Sequence, residues 1–188
     1  MLVIKHKFII LFLFSSFAFA SFAFAETLQV KQLNELFDKL SRTNAIDNAD
    51  FIEKEIWSVW NKHPKSKKLT YKLEFGTELM YQGSYKYALT VFTNIIKTDP
   101  SWPEAWNKRA TLLFLMKEYQ RSLNDIDIVL TLEPRHFGAL TGRAQIFIEL
   151  EEYEKAIKDL KKAKKIHPII RTNSLIPKLE EFVKGFSV

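Results

Sequence analysis

A proline stop recurs at a fixed interval in this chain: Pro100, Pro134 and Pro168 lie 34 residues apart. Other positions keep the same register, namely Gly76/Ala110/Ala144, Tyr85/Tyr119/Tyr153, Ala88/Ser122/Ala156 and Phe92/Ile126/Leu160. A period kept at this many positions means that one supersecondary unit is built three times and stacked, because a unit this short cannot bury its apolar face alone. The units span 69–102, 103–136 and 137–170. Apolar residues at helical spacing predict a first helix over 69–81, 102–116 and 137–150, and a second over 85–98, 119–132 and 153–166. Proline disfavours helical geometry in the residue before it, so each proline closes a second helix. Gly76, Ala110 and Ala144, set against Ala88, Ser122 and Ala156, let the paired helices approach closely. Gly83 supplies a left-handed turn in the first unit. Lys117 and Glu151 take that place in the others and predict turns that are strained or built differently. Ser101 and Glu104 have the spacing of a capping box.

This pattern resembles the tetratricopeptide repeat (TPR), a helix-turn-helix unit that stacks into an all-α, right-handed solenoid. The resemblance covers 69–170 and is uneven at two favoured aromatic places. One holds Trp106 in the second unit but Lys72 and Leu140 in the others; the other holds Leu79, Leu113 and Phe147. In that family the first helices line a concave groove that takes a protein segment. Carried over, the groove positions are Thr70, Leu73, Thr77, Met80 and Tyr81; Glu104, Asn107, Thr111, Phe114 and Leu115; and Gly138, Thr141, Gln145, Ile148 and Glu149. From these the resemblance implies Leu73, Thr77, Met80, Tyr81, Asn107, Thr111, Phe114, Thr141 and Gln145 as partner contacts. Chaperone-binding members grip a C-terminal carboxylate with a Lys, Asn and Arg set. Leu73, Thr77, Lys108, Gly138 and Gly142 stand at those places here, which argues against that specific task.

The flanks have other characters. Residues 1–25 read as a secretory signal: Lys5 and Lys7, an apolar run from Phe8 to Phe14, and small-x-small triplets at Ala18–Ala20 and Ala23–Ala25, with cleavage before Glu26. The alternative is an uncleaved anchor, since Phe8 to Ala25 is at the short end of a membrane span. The expected address is the periplasm, or in the alternative the periplasmic side of the inner membrane. Residues 26–68 hold a helix pair, read as a diverged repeat or an N-terminal cap, and a basic connector of Lys62, Lys65, Lys67 and Lys68. Residues 171–188 read as a C-terminal capping helix, with Ser174 as its cap and Leu175, Ile176, Leu179, Phe182, Val183 and Phe186 on one face.

The chemistry-bearing residues point to structure more than to reaction. The absence of Cys excludes disulfides, thiolate zinc sites, cysteine nucleophiles and a lipid-bearing N-terminal Cys. Phe75 and Val91 in the first unit become Arg109 with Asp125, then Arg143 with Asp159. The joint switch predicts contact within each hairpin and hence two partly buried ion pairs. His63, His136 and His167 sit near terminating prolines, spread along the array rather than converging as metal ligands must. Glu149, Glu151, Glu152 and Glu154 crowd one turn without the spacing of a calcium loop. No catalytic, cofactor or metal motif emerges, and the mature charge of about +4 gives no case for nucleic acid. Lys155, Lys158, Lys161, Lys162, Lys164 and Lys165 cover the outer face of the last second helix and could give weak contact with an anionic membrane surface. The sequence therefore predicts a non-enzymatic periplasmic interaction module that binds a protein segment in its groove. The alternative is an envelope component held by its N-terminus and its lysine face.

Overall fold

The structure is a computed structural model and describes residues 28–185. The described residues form helices without a strand: α1 (28–42), α2 (Ile46–Trp60), α3 (Lys67–Tyr81), α4 (Tyr85–Thr98), α5 (Pro103–Leu115), α6 (Tyr119–Leu132), α7 (Phe137–Glu149), α8 (Tyr153–Ile166), a short 3-10 turn (Arg171–Ser174) and α9 (Leu175–Gly185). The candidate signal segment and the last three residues lie outside the described range. No described helix is long and apolar enough to cross a membrane.

The pairs α3/α4, α5/α6 and α7/α8 are the three repeats, and their inner faces show why small residues recur. A Cβ at Gly76 would meet the Phe92 ring at 2.7 Å. At the equivalent place in the second repeat the Ser122 hydroxyl donates to the Ala110 carbonyl at 2.7 Å, which satisfies a buried hydroxyl at a close helix contact. All three turns are built alike. Gly83 has φ 76°, and Lys117 and Glu151 each have φ 60°. In each, the amide three residues beyond the helix end bonds back to the aromatic or leucine place of the repeat: Ser84 to Leu79, Glu118 to Leu113 and Glu152 to Phe147, at 2.9, 2.9 and 2.7 Å. That closure satisfies carbonyls the helix leaves free, and it holds Lys117 and Glu151 in a conformation costing roughly 1–2 kcal/mol for a residue with a Cβ.

Two caps differ from expectation. Trp102, not Ser101, precedes α5, and no side chain caps it. The Ser101 amide and hydroxyl bind Asp99 instead, at 2.9 and 2.6 Å. Ser174 ends the 3-10 turn, where its hydroxyl donates to the Arg171 carbonyl. Helix α9 covers the last repeat, placing Ile176 and the half-buried Leu175 and Leu179 against Ala144, Ala156 and Leu160.

The main departure is the N-terminal hairpin. It does not stack ahead of α3 as a diverged repeat. Its apolar residues Leu33, Phe37, Leu40, Ile56, Val59 and Trp60 share one core with Phe137, Leu140, Ala163 and Ile170, to which α3 and α4 contribute nothing. Helix α2 thus lies across the starts of the second and third repeats. The side chains explain the choice. Trp57 and Trp60 present large aromatic faces that pack edge-on and tilted against Phe137, at 5.6 and 5.1 Å. Gly138 leaves the room: a Cβ there would lie 2.4 Å from the Trp57 ring. Gln29 ties α1 to the end of α2 by donating to the Val59 and Lys62 carbonyls, at 2.9 and 3.0 Å.

Two glycines of α7 therefore separate packing from propensity. Gly138→Ala should destabilise the protein by roughly 1–3 kcal/mol, because the ring must shift in a packed core. Gly142→Ala, with nothing within 4 Å of the added carbon, should stabilise it by about 0.5–1 kcal/mol through helix propensity. Urea titrations of both variants, read by tryptophan fluorescence, check the opposite signs.

Candidate functional site

The side chains of Asp50, Glu53, Trp57 and Trp60 follow one another along α2 at spacings of three and four, so they share a face. Each meets a different station of the array. The Trp60 carbonyl accepts from Trp102 Nε1 at 3.0 Å, and the Trp60 ring stacks on His136 at 4.0 Å. Trp57 covers Gly138. Glu53 Oε2 lies 3.0 Å from His167 Nε2, and Asp50 pairs with Arg171 at 2.9 Å. Just beyond α2, His63 Nε2 lies 2.8 Å from Asp99.

The three histidines thus each hold one carboxylate, and they do not converge. Glu104 is the most enclosed partner, only 1% exposed. Its carboxylate receives His136 Nε2 at 3.0 Å, Asn107 Nδ2 at 3.2 Å and Lys108 Nζ at 3.2 Å. His136 Nδ1 accepts from the Ala139 amide at 3.0 Å, so Nε2 is the donating nitrogen. Burial pushes the Glu104 carboxyl up, but the His136 hydrogen bond and the Lys108 charge outweigh it and hold it below its ordinary value of 4.5. The His167 hydrogen bond likewise holds Glu53 below its ordinary range against partial burial. At Asp99, burial acts upward, and the Ser101 hydrogen bonds with His63 prevail downward. The sequence exposed the histidines but not their partners, which are up to 114 residues away.

The switched residues form bidentate pairs. Arg109 Nε and Nη2 donate to Asp125, both at 2.8 Å, and Arg143 Nε and Nη2 donate to Asp159 at 2.6 and 2.9 Å. Each guanidinium also reaches back one repeat, Arg109 to Thr93 at 3.3 Å and Arg143 to Asp127 at 2.6 Å. The pairs therefore clamp both a hairpin and a repeat junction. The Asp159 hydrogen bonds raise the Arg143 pKa despite desolvation.

The groove positions divide into three groups. Leu73 and Met80 belong to the core of the first repeat, and Asn107 is buried beside Glu104; none offers a contact surface. This corrects the family-derived assignment for those three, whose side chains turn between helices rather than onto the concave face. Thr141 lies in a cleft of about 380 Å³ between α2 and α7, with Glu53, Lys54 and Trp57 on its other wall. Thr77, Tyr81, Thr111, Phe114 and Gln145 remain exposed or half-buried beyond the reach of α2. Among the described residues no group of His, Asp or Glu is arranged to hold a metal.

The fold and the repeat contacts define a helical-hairpin solenoid with one helix laid across the starts of its second and third repeats. No protein-family model matches the chain. A TPR repeat-containing protein of Rhizobium etli is 34% identical over 142 residues, spanning 76% of this chain and 69% of the relative. The chain belongs to the tetratricopeptide-repeat proteins. Solved structures agree on the fold. The first TPR of Spaghetti (RPAP3), bound to the HSP90 peptide SRMEEVD, has a TM-score of 0.60 at 22% identity, covering 64% of this chain and 96% of that one. The TPR2B domain of yeast Sti1 in its Hsp70 complex has 0.54 at 20% identity, covering 62% and 93%.

Glu104→Gln tests the buried node through pH. The folded carboxyl titrates below the unfolded one, so its stabilising contribution is present above about pH 4.5 and lost as pH falls through the folded value. The variant should be less stable near neutrality by roughly 1–3 kcal/mol, and its stability should fall less steeply on acidification than that of the wild type. Urea midpoints at pH 7 and pH 4 check this; parallel pH profiles would contradict it.

Proposed function

We propose that this chain is a non-enzymatic interaction module, exported to the periplasm, that binds a protein segment along the part of its concave face that α2 leaves open. The observation that carries the reading is the split of the groove. Toward the starts of α5 and α7 it is occupied by Trp57 and closed by the Glu104 node. Toward the ends of α3, α5 and α7 it keeps Thr77, Tyr81, Thr111, Phe114, Leu115 and Gln145 accessible, with Tyr81 81% exposed. That strip mixes neutral polar groups with apolar area and suits an uncharged, partly apolar segment. The peptide complexes of the RPAP3 and Sti1 domains support peptide binding by this fold. Capture of an acidic C-terminus is disfavoured, because Lys108 is already engaged by Glu104 and Gly138 lies under Trp57.

Thr77→Arg with Thr111→Arg adds bulk and charge to the open strip without touching a buried contact of the array. Lys158→Glu with Lys162→Glu reverses charge on the outer face of α8, where Lys155 and Lys161 are already paired with Glu152 and Glu180. In photocrosslinking from Gln145 in intact cells, the first double variant should lose its captured partner and the second should keep it. The reverse result, with salt-sensitive membrane association, would favour the envelope-surface reading. The same preparation, sequenced from its N-terminus, should begin at Glu26.

A further inference from the structure

The first repeat ends the array with a face that its neighbours keep covered. In the second and third repeats Ala105 with Leu112, and Ala139 with Ile146, are buried against the preceding repeat. Arg109 and Arg143 reach onto that same repeat. The matching places on α3 are Tyr71, Glu78 and Phe75. Among the described residues nothing precedes α3 there, because the N-terminal hairpin has packed on the third repeat instead. Tyr71 is 67% exposed and Phe75 55%, and on α4 the neighbouring Tyr87 is 73% exposed. Where this outer face carries Phe75, Val91 and Tyr87, the second repeat has Arg109, Asp125 and Arg121. The order is the opposite of what solubility requires, since the outer face of an end repeat should be polar. A contiguous exposed aromatic face of this kind marks an interaction surface.

We propose that this face is the interface of a two-fold dimer in which α3 of one copy packs antiparallel on α3 of a second. The charge pattern of α3 selects the occupant. Lys67, Lys68 and Lys72 lie in its first half and Glu74 and Glu78 in its second. None of the five forms an ion pair among the described residues. An antiparallel copy turned about the level of Leu73 sets Tyr71 against Phe75 of its mate. It also brings Lys68 level with Glu78, each about 7.5 Å along the axis from the pivot at 1.5 Å per residue. A parallel copy would set lysine on lysine. The two-fold repeats every contact, so one aromatic pair and one ion pair each count twice. Growth stops at two, because α9 covers the other end of the array.

Sedimentation equilibrium of the purified chain over a wide concentration range tests this. The mass should rise from that of one chain to twice that value. Phe75→Arg with Val91→Asp installs the pair that the second and third repeats already hold, so the fold should persist by circular dichroism while the chain stays monomeric. Lys68→Glu should weaken the dimer about tenfold or more, and adding Glu78→Lys should restore it. A chain that is monomeric at every concentration, with the face covered by residues 1–27 or by a different protein, would overturn the proposal. So would a dimer that survives Phe75→Arg/Val91→Asp, or a mass that climbs past two copies.

Discussion

The contact on which the arrangement depends is the one between His136 and Glu104. It lies where three parts of the chain meet: the start of the second repeat, the start of the third, and α2. A carboxylate this enclosed is tolerable only when its oxygens are filled, and His136, Asn107 and Lys108 fill them. The imidazole then does two further things. Its second nitrogen caps α7, and its face takes the Trp60 ring in parallel stacking. Removing any one member leaves the others buried and unmatched, so the node fixes the register of repeat on repeat and of α2 on both. The outer pairs, His63 with Asp99 and His167 with Glu53, extend the same chemistry to either side and leave α2 little freedom to slide.

The array itself was legible because it is local. A 34-residue period, small residues at the hairpin contact and a proline at each stop all act within a few turns of helix, and the helix limits lie within a residue or two of the sequence expectation. The correlated change from Phe75 and Val91 to Arg109 and Asp125 also showed itself, since the two places are only 16 residues apart and vary within one chain. The turns at Lys117 and Glu151 were readable as anomalies but not as copies of the Gly83 turn. The closing hydrogen bonds, which no residue type announces, hold all three alike.

The position of the N-terminal hairpin was not legible, for a physical reason. Its amphipathic pattern says that one face must be covered, and a preceding-repeat position would cover it as well as the groove does. The decision rests on long-range fits: Trp57 into the space above Gly138, Trp60 onto His136, Glu53 onto His167. A glycine at a groove place and a histidine near the end of three units were visible singly, but their meaning needs the third dimension. The same displacement divides the groove and leaves Tyr71 and Phe75 exposed among the described residues. The binding strip and the aromatic end face are thus both consequences of where α2 lies.

Chemical crosslinking tests that placement most directly, since the chain has no Cys of its own. Asp50→Cys with Arg171→Cys joins α2 to the turn before α9, where the native side chains meet at 2.9 Å. Asp50→Cys with Glu78→Cys joins α2 to the α3 face it would cover if the hairpin stacked ahead of the first repeat. With a short bismaleimide under dilute conditions, the first pair should crosslink rapidly within one chain and the second should not. Rapid crosslinking of the second pair and failure of the first would contradict the account.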